Sequence, residues 1–296
     1  MSDLLIQADD LKQALPLGRW LVFDVRHDLR DHAAGRRAYE QGHVPGAVYL
    51  DHETQLSAPK TGSNGRHPLP ALADFAALMR ACGLAPDTRV AIYDAHGGMF
   101  AAHLWWMLRW LGHEHVAVLD GGWQAWQAAG GAQESGAGRD PASALRPATA
   151  AAQGDSGAGQ RPHMPTVDAK AVAANLEKQA FTVVDARAAD RYAGEVEPMD
   201  PVAGHIPGAL NRPNGLNIGA DGRFKAPREL NAEFSALLQG LPADRVVHQC
   251  GSGITACHNL FAMELAGMAG SALYPGSWSE WCADPSRPVA KGGEPG

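Results

Sequence analysis

Trp20-Leu21-Val22-Phe23-Asp24-Val25-Arg26 returns later in the chain as Phe181-Thr182-Val183-Val184-Asp185-Ala186-Arg187, an apolar run closed by Asp-x-Arg. The recurrence continues in order. Gly42-His43-Val44-Pro45-Gly46-Ala47 returns as Gly204-His205-Ile206-Pro207-Gly208-Ala209, Val90-Ala91-Ile92-Tyr93 as Val246-Val247-His248, and Gly122-Trp123-Gln124-Ala125-Trp126 as Ser277-Trp278-Ser279-Glu280-Trp281. A chain that repeats an ordered series of elements folds as like units in succession, because each copy can bury the same core. Between the copies Gly, Ala, Ser, Gln and Pro dominate without a hydrophobic period, which predicts a flexible linker over residues 131–163. The expected domains are therefore 1–130 and 164–296.

Within each copy short apolar runs alternate with helical patterns such as Ala71-Leu72-Ala73-Asp74-Phe75-Ala76-Ala77-Leu78-Met79 and Leu260-Phe261-Ala262-Met263-Glu264-Leu265. Strand, helix, strand predicts an α/β fold with a mostly parallel sheet in each domain. Ligands of open parallel sheets bind beyond the carboxyl ends of the strands, where both Asp-x-Arg ends are expected to lie.

Cys250 is expected at that same edge. Arg245-Val246-Val247-His248-Gln249 reads as a buried strand, and Cys250-Gly251-Ser252-Gly253-Ile254-Thr255 as a glycine-bearing loop that opens a helix. Such a turn aims backbone N–H groups at one sulfur, and the helix N-terminus adds a partial positive charge that favours a thiolate nucleophile. Laid over the first copy without gaps, an offset of 155 residues pairs Gly98 with Gly253, His103 with His258 and Trp123 with Trp278, and sets Ala95 opposite Cys250. The first copy lacks the nucleophile and reads as a degenerate scaffold. Asp94-Ala95-His96 is not expected to serve as an acid–base pair. Cys257, seven residues after Cys250, is expected to pack inside the helix.

The formal net charge is −7 with 19% charged and 45% hydrophobic residues, so no basic excess suggests a nucleic-acid partner. No basic leader with an apolar run opens the sequence, and no stretch of about 18 apolar residues suggests a membrane span, so the cytoplasm is the expected location. The four cysteines, Cys82, Cys250, Cys257 and Cys282, form no Cys-x-x-Cys pair, which favours reduced thiols over a disulfide framework or zinc site. His113-Glu114-His115 reads as a solvated turn, and neither metal nor cofactor is needed to explain the motifs. A cysteine phosphatase or arsenate reductase needs Cys-x5-Arg, but the sixth residue after Cys250 is Ala256. A non-catalytic binding module is the other alternative, and the intact Cys250 loop weighs against it.

The duplicated layout, Gly-His-x-Pro-Gly-Ala in both halves and a single cysteine loop resemble the rhodanese family of sulfurtransferases over nearly the whole chain. The resemblance implies two tandem domains, each with a mostly parallel five-stranded sheet flanked by helices. Cys-Gly-Ser-Gly-Ile-Thr resembles the loop of 3-mercaptopyruvate sulfurtransferases, whereas thiosulfate-preferring relatives carry a basic pair where this chain has Gly251 and Ser252. It implies a persulfide on Cys250, formed from a small-molecule donor and passed to a thiol, thioredoxin or cyanide, without a cofactor. By the same resemblance Arg187 clamps the donor, and Arg191, one helical turn further on, is expected as a second donor to its carboxylate or carbonyl. Salt bridges from Arg187 to Asp185 or Glu195 are the competing structural roles. Gly251, Gly253, Ile254 and Thr255 cradle the donor, Ser252 faces the reacting sulfur, and Thr255 is placed to cap its helix. His67 matches the family's cross-domain histidine beside Ser252, and Glu53 stands where that histidine has a carboxylate partner. His43, His205, Asp24, Asp185, Trp123 and Trp278 occur in both halves and are expected to serve the scaffold.

Overall fold

Buried β-branched runs form the central strands of two parallel sheets, one in each of two units. The computed structural model describes residues 4–139 and 163–296. Residues 1–58 and 69–163 make the first unit, and residues 59–68 and 164–296 the second. The segment 59–68 thus leaves the copy in which it is encoded and joins the other, which the repeat does not reveal.

The first unit contains β1 (Leu5–Ile6), β2 (Trp20–Asp24), β3 (Val48–Tyr49), β4 (Arg89–Tyr93) and β5 (Val116–Leu119), with helices α1 (Ala8–Ala14), α2 (Ala34–Gln41), α3 (Leu72–Cys82), α4 (Met99–Leu111) and α5 (Gly122–Ala128). Its sheet runs β1-β5-β4-β2-β3, parallel throughout. Val90, Ala91, Ile92 and Tyr93 of β4 are fully buried, as befits a central strand covered on both faces. Trp105 and Trp106 make α4 apolar on nearly every side, and that helix is buried along its length.

Part of the expected linker is anchored. Glu134 bridges to His43, Arg139 bridges to Val48, and the Arg139 guanidinium donates to the Ala81 carbonyl at 3.0 Å. At the far end the His163 N–H donates to the Trp110 carbonyl at 3.1 Å. The rest of the expected linker, residues 140–162, lies outside the described residues.

In the second unit come α6 (Ala169–Lys178), β6 (Thr182–Asp185), α7 (Ala189–Ala193), β7 (Leu210–Asn211), α8 (Pro227–Leu238), β8 (Val246–Gln249), α9 (Ile254–Leu265), β9 (Ala272–Leu273) and α10 (Ser277–Trp281). The sheet order is β7-β6-β8-β9, again parallel. This corrects the expectation of five strands in both domains. The counterpart of β1 is a single bridge from Thr166 to Leu273. Pro165 has no N–H to extend the ladder, and Asp168 caps α6 by accepting the Ala171 N–H at 2.8 Å, so the chain turns helical at once. Chain order reverses between β6 and β8, and the crevice beyond their carboxyl ends receives the residues after Asp185 and Gln249. No helix of the described residues is long and apolar enough to cross a membrane.

His248 makes β8 sensitive to acid. Its side chain is fully buried, with Nε2 3.1 Å from Met263 Sδ, and burial, aided by the Arg212 charge, holds the imidazole down at about 3. The folded chain therefore takes up this proton far less readily than the unfolded chain, so stability falls as pH drops below about 6.5 and continues falling toward 3. Urea unfolding at pH 7 and pH 5 should show a loss of about 2 kcal/mol in the native sequence beyond that in His248→Leu. Equal losses in the two proteins would exclude His248 as the source.

Candidate active site

The site is built where β8 ends. Cys250 is buried, and its Sγ accepts the Gly253 N–H at 3.2 Å in the opening turn of α9, so one backbone dipole and a helix N-terminus face the sulfur. The Cys250 N–H donates to Ser277 Oγ at 3.1 Å, and the Ser277 hydroxyl donates to the Tyr274 carbonyl at 2.9 Å. The Cys250 and Gly251 carbonyls accept the Trp278 and Ser279 N–H groups, each at 3.0 Å. These bonds tie the outer side of the loop to α10. Gly253 has φ +92°, and a Cβ there would lie 2.6 Å from the Pro275 carbonyl oxygen. Both conformation and space therefore require glycine.

One correction concerns α9. Thr255 does not cap the helix: Gly253 occupies the N-cap, no side chain caps it, and Thr255 lies half-buried inside the first turn. Ile254 opens the helix as a buried apolar side chain. Cys257 packs against the Gly253 carbonyl at 3.4 Å, and burial pushes its thiol far up, consistent with a packed side chain.

His67 and Ser252, 185 residues apart, meet at 2.8 Å between Nδ1 and Oγ, both nearly buried. Segment 59–68 makes this possible by joining the second unit, pinned where the Arg66 N–H donates to Ser279 Oγ at 3.0 Å. Glu53 belongs to the first unit, where its Oε1 lies 3.2 Å from His32 Nδ1.

Arg187 is not an available clamp. Its side chain is 1% exposed, Nε and Nη2 bind both Asp185 oxygens at 2.6–3.1 Å, and Nη2 also donates to the Gly204 carbonyl at 2.7 Å. Nη1 reaches Glu197 at 3.4 Å, and the guanidinium lies 4.7 Å from the Trp278 ring centre. Arg26 repeats the arrangement with Asp24, the Gly42 carbonyl at 2.7 Å and the Trp123 ring at 4.6 Å. The shared cage recurs in the first unit, where Ala95 stands opposite Cys250, so the packing that holds Arg187 does not depend on a cysteine loop. The carboxylate partner beyond Asp185 is Glu197 rather than Glu195.

The guanidinium at the loop is that of Arg191, joined by one the sequence reading did not consider, Arg66. A Cβ on Gly251 would stand 2.7 Å from Arg66 Nη2 and 3.6 Å from Arg191 Nη1. Arg191 binds Glu197 at 2.6 Å and Asp200 at 3.4 Å, while Arg66 pairs with Asp200. Burial works against the Glu197 charge, but Arg191 and the N–H groups of Met199 and Asp200 outweigh it and hold the carboxyl below its usual range. At Asp200 burial prevails over Arg66 and Arg191 and pushes the carboxyl up. The acidic run Glu195-Val196-Glu197-Pro198-Met199-Asp200, directly after Arg191, was the available sequence signal for these partners.

The first unit fills its own version of the cradle. Asp94, opposite Gln249 in the repeat, accepts N–H bonds from His96 (2.8 Å), Gly98 (3.0 Å), Phe100 (2.7 Å) and Ala101 (2.9 Å) with its two carboxylate oxygens. The Asp94 side chain thus occupies the amides at the start of α4. His43 and His205 also match each other. Their rings stack on Tyr39 and Tyr192 at 3.7 and 3.8 Å, and their Nδ1 atoms meet those residues' carbonyls.

The family model for the rhodanese-like domain matches residues 7–129 and again 168–284. The chain belongs to the rhodanese-like family. Over 98% of its length this rhodanese-like chain is 48% identical to a Pseudomonas aeruginosa protein named "Probable 3-mercaptopyruvate sulfurtransferase", covering 99% of that protein. It is also 36% identical to a thiosulfate sulfurtransferase of Bos taurus, over 83% of this chain and 79% of the other. Among solved structures it is similar to the 3-mercaptopyruvate sulfurtransferase SseA of Escherichia coli, with TM-score 0.74 and 31% identity over 93% of this chain and 98% of SseA.

Proposed function

We propose that this rhodanese-like protein is a sulfurtransferase that takes sulfur from 3-mercaptopyruvate through a persulfide on Cys250. The carrying observation is the Cys250 sulfur at the N-terminus of α9, beside a loop that also holds the Ser252–His67 pair. The thiolate attacks the donor sulfur, the carbon–sulfur bond breaks, and its electron pair leaves on the carbon as the enolate of pyruvate. The donor's thiol proton ends on that carbon, giving pyruvate and a Cys250 persulfide anion. Ser252 Oγ, bonded to His67, is the hydroxyl suited to steady the enolate oxygen and relay the proton. A thiol, thioredoxin among them, or cyanide then attacks the outer sulfur and restores the Cys250 thiolate.

Charge balance supports the keto acid as donor. Arg66 and Arg191 face Glu197 and Asp200, so two cations meet two carboxyl groups near the loop. A dianion gains little from a balanced site, whereas one carboxylate and a carbonyl can share the free edge of a guanidinium. Thiosulfate is the second reading, favoured by the placement of two guanidinium groups beside Gly251. Steady-state kinetics with the two donors and cyanide as common acceptor should give mercaptopyruvate a kcat/KM at least about tenfold higher, a difference near 1.4 kcal/mol. The reverse ratio overturns the donor assignment and keeps the persulfide, while no transfer from either donor overturns the sulfurtransferase reading.

A further inference from the structure

The unit without the nucleophile gathers metal-ligating side chains at the carboxyl edge of its own sheet. His27 and His32 both lie in the loop between β2 and α2, and Glu53 lies in the loop after β3. One ligand atom from each of the three falls within 4.8 Å of the others, and His32 Nδ1 and Glu53 Oε1 are 3.2 Å apart. Around a tetrahedral zinc ion with bonds of about 2.0–2.2 Å, neighbouring ligand atoms stand roughly 3.3–3.5 Å apart. The His32–Glu53 pair already has about that spacing. His27 is buried, packed by the rings of His52 (5.5 Å) and Phe100 (5.2 Å), whereas the His32 side chain is 53% exposed.

The loops that carry the ligands are braced. The Asp28 carboxylate accepts the Arg30 and Asp31 N–H groups at 2.7 and 3.2 Å, shaping the turn before His32. Asp51 accepts the Glu53 and Thr54 N–H groups, both at 2.9 Å. We propose that His27, His32 and Glu53 form a three-ligand site for a divalent transition-metal ion, zinc by its donor set. Two imidazoles and a carboxylate with a fourth position open are the ligand chemistry of zinc sites that retain a water. The ion would tie the loop after β2 to the loop after β3. This inference is independent of the sulfur chemistry at Cys250.

The test is calorimetric titration of the full chain with Zn²⁺ in a Cys250→Ser background, which removes the competing thiol, followed by the same titration with Co²⁺ and its visible spectrum. The other thiols compete poorly, because burial pushes Cys82 up to about 12 and Cys257 and Cys282 upward as well. The expected result is one equivalent bound, a cobalt spectrum without thiolate charge-transfer bands, a raised Tm, and affinity at least about tenfold weaker in His32→Ala and in Glu53→Gln. His27→Ala opens a cavity in a buried position and can fail to fold, so the exposed His32 carries the decision. No binding, binding unchanged in both variants, or a spectrum with thiolate bands overturns the proposal.

Discussion

Cys250→Ser lowers sulfur transfer from either donor by at least about a thousandfold, because a serine hydroxyl cannot hold transferable sulfur. The fold should tolerate the change. Serine is similar in size, and its Oγ can accept the Gly253 N–H that Cys250 Sγ accepts at 3.2 Å. Circular dichroism and urea unfolding should therefore match the native protein while kcat collapses. Incubated with mercaptopyruvate and no acceptor, the native chain should gain one sulfur atom by mass, mapped by proteolysis to the peptide that holds Cys250. Cys82, Cys257 and Cys282 are all buried and their thiols are pushed upward, so they are poor nucleophiles near neutral pH. Transfer that survives in the variant, or sulfur found on one of those three, would refute the mechanism.

The second large effect separates two arginines four residues apart. Arg187→Ala leaves Asp185, which is fully buried, without its bidentate partner and removes one of the cations at Glu197, and breaking such a buried pair costs about 3–5 kcal/mol. Arg26→Ala should do the same in the first unit, through Asp24, with no change in donor affinity of the molecules that remain folded. Arg191→Ala should behave differently. Its side chain is 18% exposed, Glu197 keeps Arg187, and Asp200 keeps Arg66, so stability changes by about 1 kcal/mol or less. Losing its charge-assisted contact with the donor carboxylate should instead raise KM by about 10–100-fold with a smaller effect on kcat. Urea unfolding and donor kinetics on the three variants check this. A stable Arg187→Ala with a raised KM would return Arg187 to the donor site.

The repeat, the parallel sheets and the placement of Cys250 could be read from the chain because each rests on local patterning. An apolar run followed by a glycine loop and an apolar helix specifies strand, turn and helix within about twenty residues, and a duplicated series specifies two such units. The second unit carries four strands rather than the expected five for an equally local reason, since Pro165 and the Asp168 cap shorten the edge to one bridge.

Side-chain partnership depends on distances that the linear order does not encode. Arg187 and Arg191 look alike in sequence, but the Gly204 carbonyl, the Trp278 ring and two Asp185 oxygens saturate the first and leave the second at the loop. The sequence suggested His67 beside Ser252 only by resemblance. Tertiary structure brings them together by carrying segment 59–68 into the second unit. The same holds for Asp94 in its ring of amides and for His27, His32 and Glu53 at one sheet edge. Backbone periodicity is set by neighbours a few residues apart. Charges and ligands are matched by whatever the packed chain brings within a few ångströms, so the sequence determined the fold and the place of Cys250, and the tertiary structure decided which residues surround it.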